Sequence, residues 1–173
     1  MWDFFETVRH RHSVRKYQHD MGVEHAKLHA ILEMACAAPS AGDLQSYHVV
    51  VVRDQGIREQ LRSAAEDQAF VSQSPVCLVF CSDTQRSARQ FGDRGTSLYA
   101  IQDATIAAAY AQLAIVAAGM ASTWIGNFDE STVREQLHLS ANLTPVAMLS
   151  VGYPAELPEP TARRPMNEMV EYR

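Results

Sequence analysis

The chain has 173 residues, 47% of them hydrophobic, and a formal net charge of −5. That length suits one domain, 1–173, with a core of its own, and the charge opposes any general affinity for nucleic acid or acidic membranes. Three cysteines (Cys36, Cys77, Cys81) in apolar settings are too few for a disulfide framework, and the start MWDFFETVRH has neither a basic n-region nor a long apolar core, so a reducing cytoplasm is the expected compartment.

Met1 to His10 reads as a short helix with Trp2, Phe5 and Val8 near one face. A basic stretch follows, RHRHSVRKY, from Arg9 to Tyr17. Arg11, Ser13 and Arg15 are two residues apart, so in an extended chain they point to one side and form a receptor for a phosphate; the competing reading is a solvated basic arm. Glu24 to Ala37 carries Leu28, Ile31, Leu32 and Ala35 at helical spacing, and Pro39 ends that helix by restricting the residue before it. The small polar loop Pro39, Ser40, Ala41, Gly42, Asp43 then runs into the valines of a strand, Tyr47 to Val52. Pro75 to Cys81 and Pro145 to Gly152 read as further buried strands, and Gln55 to Glu66 as an exposed amphipathic helix.

A long helix begins near Leu98, and its apolar run from Ala104 to Ala121 is long enough to span a bilayer by hydropathy alone. Its alanine content, Asp103 at its head and Gln112 in its middle favour a buried helix instead. Ala104, Ala107, Ala111, Ala114 and Ala118 make a smooth stripe, whereas Ile106, Tyr110, Leu113 and Met120 make a bulky one. A helix apolar on both sides needs two covers, which points to a homodimer; a wholly intramolecular cover is the alternative. Beyond Gly152 four prolines favour an extended tail, which carries a second basic pair, Arg163 and Arg164. The arm, the tail and the polar loop together suggest one anionic ligand approached from three directions.

The ordered set RHSVRKY, APSAGDLQSYHVVVV, AIQDATIAAAYAQLAIVAAGMASTWIGNF, VGYP and RRPMNEMV closely resembles the FMN-dependent nitroreductase family of NAD(P)H oxidoreductases, from about residue 5 to residue 170. The resemblance implies an α+β fold: a three-layer α/β/α sandwich with a mostly antiparallel sheet, dimeric through a long central helix, with residues 153–173 wrapping the partner. It also implies FMN at the subunit interface and ping-pong hydride transfer from NAD(P)H, through flavin N5, to nitroaromatics, quinones or similar small acceptors. On that resemblance Arg11 and Ser13 hold the FMN phosphate with help from His12, and Arg15 reaches the ribityl chain and the N1/C2 edge. Pro39, Ser40, Ala41 and Gly42 lie along the ring, and Gln45 is retained nearby. Ile125 and Gly126 belong to the segment whose backbone N–H, that of Gly126, faces N5. Arg163 takes the phosphate, with Arg164 as helper. No side chain is expected to act as a catalytic group; tuning falls to Gly126 and Arg15.

Four positions depart from the family pattern. Asp43 replaces the usual asparagine, which both donates and accepts, with a group that as a carboxylate only accepts. It is expected either to take N3–H alone, lowering the reduction potential, or to turn toward a basic neighbour. Thr161 lies near a common lysine, and Ser46 and Tyr47 stand where proline and tryptophan are common. The alternatives are a flavin- or deazaflavin-binding carrier or sensor without turnover, and a specialised flavoenzyme of the same fold such as a dehalogenase, dehydrogenase or flavin-fragmenting enzyme.

Other residues carry less. His25 and His29 have helical metal spacing but no evident third ligand, so no metal is expected. Cys77 and Cys81 lack redox spacing and read as packing, and Ser40 is not in a Gly-x-Ser-x-Gly elbow.

Overall fold

In the computed structural model, which describes residues 2–173, aspartates start four helices by accepting a backbone N–H of the first turn. Asp3 caps α1 (Phe4–His10), Asp54 caps α3 (Gln55–Ala64), Asp83 caps α5 (Thr84–Arg94) and Asp129 caps α7 (Glu130–Gln136). The remaining helices are α2 (His25–Cys36), the short α4 (Phe70–Gln73) and α6 (Ala100–Ala117). Thus the first helix begins at Phe4, after its capping aspartate; Met1 lies outside the described residues.

Four strands, β1 (Tyr47–Val52), β2 (Val76–Asp83), β3 (Ala121–Ile125) and β4 (Leu143–Gly152), form one antiparallel sheet in the order β1-β2-β4-β3. The run VCLVFC has no polar member because β2 is buried on both faces. Val76, Leu78 and Phe80 join α2 and α6 through Leu28, Ile31, Ala107, Ala111 and Ile115. Cys77, Val79 and Cys81 join α3, α4 and α7 through Leu61, Phe70, Val71 and Val133. Helices therefore cover both faces, and the architecture is the expected α+β three-layer sandwich.

The sequence pattern did not reveal β3, α4, α5 or α7. The strand β3 is a short polar-apolar mix, ASTWI, placed directly after the alanine-rich helix, whose hydropathy runs on into it. The helical run 84–117 is long and apolar enough to cross a membrane, yet Ala104, Ala107, Ala108, Ala111 and Ile115 are fully buried within this fold. A turn of π-helix, Gly95–Tyr99, joins α5 to α6. The expected bulky stripe is only partly covered: Met120 falls beyond the end of α6 and is buried, whereas Tyr110 on α6 is 43% exposed. Trp2, Phe4, Met34, Tyr110 and Leu113 line an apolar groove of about 500 Å³ between α1, α2 and α6.

Burial also sets an alkaline limit on stability. Desolvation pushes the Cys77 and Cys81 thiols from 9.0 up to about 12, and the Tyr17 phenol, packed beneath the sheet, from 10.0 up to about 12. All three are raised, so the folded chain holds protons that the unfolded chain releases above pH 9–10. Stability should therefore be full below pH 9 and fall steadily as pH rises to about 12. Urea midpoints measured across that range check this; a midpoint independent of pH would contradict it.

Candidate active site

The basic arm after α1 is extended because it pairs with its neighbours on both sides. Ser13 bridges Ser122 in parallel, the Val14 N–H donates to the Ser122 carbonyl at 3.2 Å, and Thr123 Oγ1 donates to the Val14 carbonyl. Further on, the Gln18 N–H donates to the Tyr153 carbonyl and the Ala155 N–H to the Lys16 carbonyl, both at 2.9 Å. Arg15 N–H donates to Glu156 Oε1 at 3.0 Å, and its guanidinium lies 5.7 Å from the Phe70 ring centroid. Strand-like pairing thus turns the proline-rich tail back along the arm.

The consequence is one cavity of about 300 Å³ shared by arm and tail. Arg11, His12, Ser13 and Arg15 line it from the arm, and Glu159, Thr161 and Arg163 from the tail. Burial, and after it the positive charge of Arg163, pushes the Arg11 guanidinium below its usual pKa. Two guanidinium groups held close enough to oppose one another, with the Ser13 hydroxyl between flanking arginines, suit a phosphate: its oxygens accept from both cations and remove their repulsion. Thr161, the departure from the family's lysine, accepts from Arg163 Nη1 at 2.8 Å and so orients that cation. Arg164 is turned elsewhere. Its guanidinium meets Glu168 at 3.5 Å and donates to the Glu168 carbonyl at 2.9 Å, so the helper role implied for it has no support in its contacts. Glu159 went unnoticed in the sequence, where nothing separates it from other tail acids.

The loop before β1 is a second built element. Gly42, Asp43 and Gln45 have φ of 59°, 54° and 46°, a left-handed region that only glycine enters freely. At Gly42 a side chain would also meet the Phe91 ring at 2.9 Å. Ser40 Oγ accepts the Gln45 N–H at 2.9 Å and its amide at 3.3 Å. Arg86 Nε donates to the Leu44 carbonyl. Asp103, 1% exposed, accepts the Ala41 N–H at 2.9 Å and the Ser46 N–H at 3.2 Å. The only sequence signal for this role was a carboxylate standing at the head of an apolar helix. Asp43 accepts from the Gln45 side-chain amide; it has turned neither toward a basic residue nor away from the loop.

Arm and tail converge, but the loop does not join them within one chain. Tyr47 pairs with Ser82 and Ser82 with Thr144, which places the loop at the end of the sheet where β4 begins. Ser13 bridges Ser122, which pairs with Val151, so the arm lies where β4 ends. Those levels are roughly 20 Å apart along the strands, and the two edges are three strand spacings, about 14 Å, apart across the sheet. That diagonal exceeds the length of one nucleotide-sized ligand. Within one chain, then, two of the three elements converge, and Pro39, Ser40, Ala41, Gly42, Asp43 and Gln45 form a separate surface. Ile125 and Gly126 follow Ser122 by three and four residues, about 13 Å of strand at most, which keeps them within reach of a ligand anchored in the arm–tail cavity.

A sequence profile described as the nitroreductase family matches residues 8–73 and 62–153. An NADH dehydrogenase of Thermus thermophilus is 32% identical over 94% of this chain and 92% of its own length. The crystal structure of a nitroreductase family protein from Streptococcus pneumoniae superposes with a TM-score of 0.89 at 27% identity, covering 99% of this chain and all of that one. The NADPH:FMN oxidoreductase of Vibrio harveyi, solved with NAD+, superposes with a TM-score of 0.89 at 28% identity over 97% of this chain and 76% of its own. Profile, sequence and fold agree across nearly the whole length: the chain belongs to the nitroreductase family.

Proposed function

We propose that the chain is an FMN-dependent NAD(P)H oxidoreductase that works as a homodimer in a reducing cytoplasm and passes electrons by ping-pong exchange to small electron-poor acceptors such as nitroaromatics or quinones. The observation that carries this reading is the pairing of the half-buried Arg11 with the exposed Arg163 in the arm–tail cavity, a receptor for the phosphate of a nucleotide such as FMN. The activities named for the relatives, NADPH:FMN oxidoreductase in Vibrio harveyi among them, supply the redox context.

Bound FMN supplies two-electron chemistry between nicotinamide and acceptor. Arg11, Ser13 and Arg163 hold its phosphate. Arg15, fixed at its backbone by Glu156, keeps a positive charge toward the middle of the site, where it favours added negative charge. The Gly126 backbone N–H is the candidate donor at the reacting edge. The loop from Pro39 to Gln45 is supplied by the partner copy, because within one chain it lies at the opposite corner of the sheet. The apolar groove along Tyr110 and Leu113 forms part of the subunit contact; the tail stays with its own arm as far as Arg163, and its remainder, to residue 173, wraps the partner.

The test is the visible spectrum of the purified protein. We expect a flavin band that yields FMN on denaturation, bleaches with NADH or NADPH and returns when a quinone is added. A flavin band that neither nicotinamide bleaches would favour a carrier or sensor, and a colourless protein that refuses added FMN would overturn the assignment.

A further inference from the structure

We infer that Asp103 is a positioning residue for the flavin-edging loop, clamping both of the loop's ends to the core; the inference rests on the FMN reading above. Ala41 and Ser46 stand at the two ends, and each gives its backbone N–H to a different oxygen of the same carboxylate, at 2.9 and 3.2 Å. Asp103 is the one acidic or basic residue of α6, and it is 1% exposed. A carboxylate in an apolar helix is costly to bury unless it is hydrogen-bonded, and here the loop supplies both partners.

Between the clamped ends lie the three left-handed residues, Gly42, Asp43 and Gln45. Aspartate and glutamine hold such angles only where their surroundings over-determine the backbone. The contact from Arg86 to the Leu44 carbonyl and that from Gln45 to Asp43 are both exposed, so water competes for them. Asp103 is the buried anchor, reaching the loop from α6. Asparagine has one acceptor oxygen, and its amide would meet a second N–H donor face to face, so it cannot hold both ends. A loop shaped before the ligand arrives incurs no ordering cost on binding, and that is the contribution assigned to Asp103.

The test compares wild type with Asp103→Asn. In FMN-free protein, amide hydrogen exchange across 40–46 should accelerate while that of β2 is unchanged. The FMN dissociation constant should rise about tenfold or more, and the visible bands of the bound flavin should shift. A residue important only for stability would lower the melting temperature and leave loop exchange, affinity and spectrum of the folded protein as they were, which would overturn the inference. Should the variant not fold, wild type alone decides. The Ala41 and Ser46 amides must exchange as slowly as those of β1, and exchange at open-loop rates defeats the clamp. A wild-type protein that binds no FMN overturns the FMN reading itself, and the exchange rates then judge the clamp alone.

Discussion

Arg11→Ala is expected to weaken FMN binding roughly ten- to one-hundred-fold, the loss of one charge-assisted phosphate contact of about 1.5–3 kcal/mol. The prediction has an internal check in its neighbour. Without a ligand, Arg163 and Arg11 oppose each other in a shared cavity, and Arg11 is already pushed down by burial. Removing Arg163 should therefore weaken FMN binding while leaving the FMN-free protein at least as stable as before, since the substitution relieves like-charge repulsion. With FMN bound the sign reverses, because the phosphate has turned that repulsion into attraction and its loss is felt directly. Fluorescence titration of FMN, beside thermal melts with and without ligand, reads both halves. Unchanged affinity in Arg11→Ala would move the phosphate elsewhere. Raised salt should weaken wild-type binding and flatten the difference between wild type and variants.

Tyr110→Glu is expected to convert a dimer into monomers and to abolish FMN retention. Tyr110 is 43% exposed in one copy, so a carboxylate there leaves the fold of a single chain intact. It lines the same groove as Trp2 and Phe4, which are 46% and 67% exposed, an apolar concentration that a lone soluble chain would not leave in water. Against a second copy the new carboxylate would be buried without a partner, at a cost of several kcal/mol per interface, and twofold symmetry would repeat that cost. Because the loop before β1 and the arm–tail cavity sit at opposite corners of one sheet, the proposed dimer completes each site from two copies, and a monomer would hold only half of one. Size-exclusion chromatography with light scattering reads the mass, and the flavin absorbance of the same peak reads retention. A variant that stays dimeric would place the interface elsewhere, and a monomer that keeps FMN would show that the phosphate cavity suffices by itself.

How far the sequence was legible varied with what each residue answers to. A helix start was written locally at Asp54, ahead of the helix from Gln55, because a capping aspartate needs only its own first turn; α5 has the same cap in Asp83 but too few apolar residues to show a period. The strand β2 was legible because burial on both faces leaves an unbroken apolar run. The strand β3 was not, since its pairing with β4 is long-range and its residues, ASTWI, carry no period of their own. Asp43 illustrates the same limit on a side chain: its type could be read as a departure from asparagine, but its contact with Gln45 depends on two left-handed turns that no local pattern announces.

The sequence by itself determined the elements and the chemistry available to them: an extended arm with Arg11, Ser13 and Arg15 on one side, a basic tail, a loop of small residues, and an alanine-rich helix too apolar for water on either face. Local sterics and side-chain periodicity are enough for that. Only the tertiary structure decided which of these elements meet. Backbone pairing of the arm with β3 and the tail brings Arg163 to Arg11, while the antiparallel order β1-β2-β4-β3 carries the loop to the far corner. Register across a sheet is set by contacts between residues distant in the chain, and that is why a site that looked continuous in the sequence is divided in the fold.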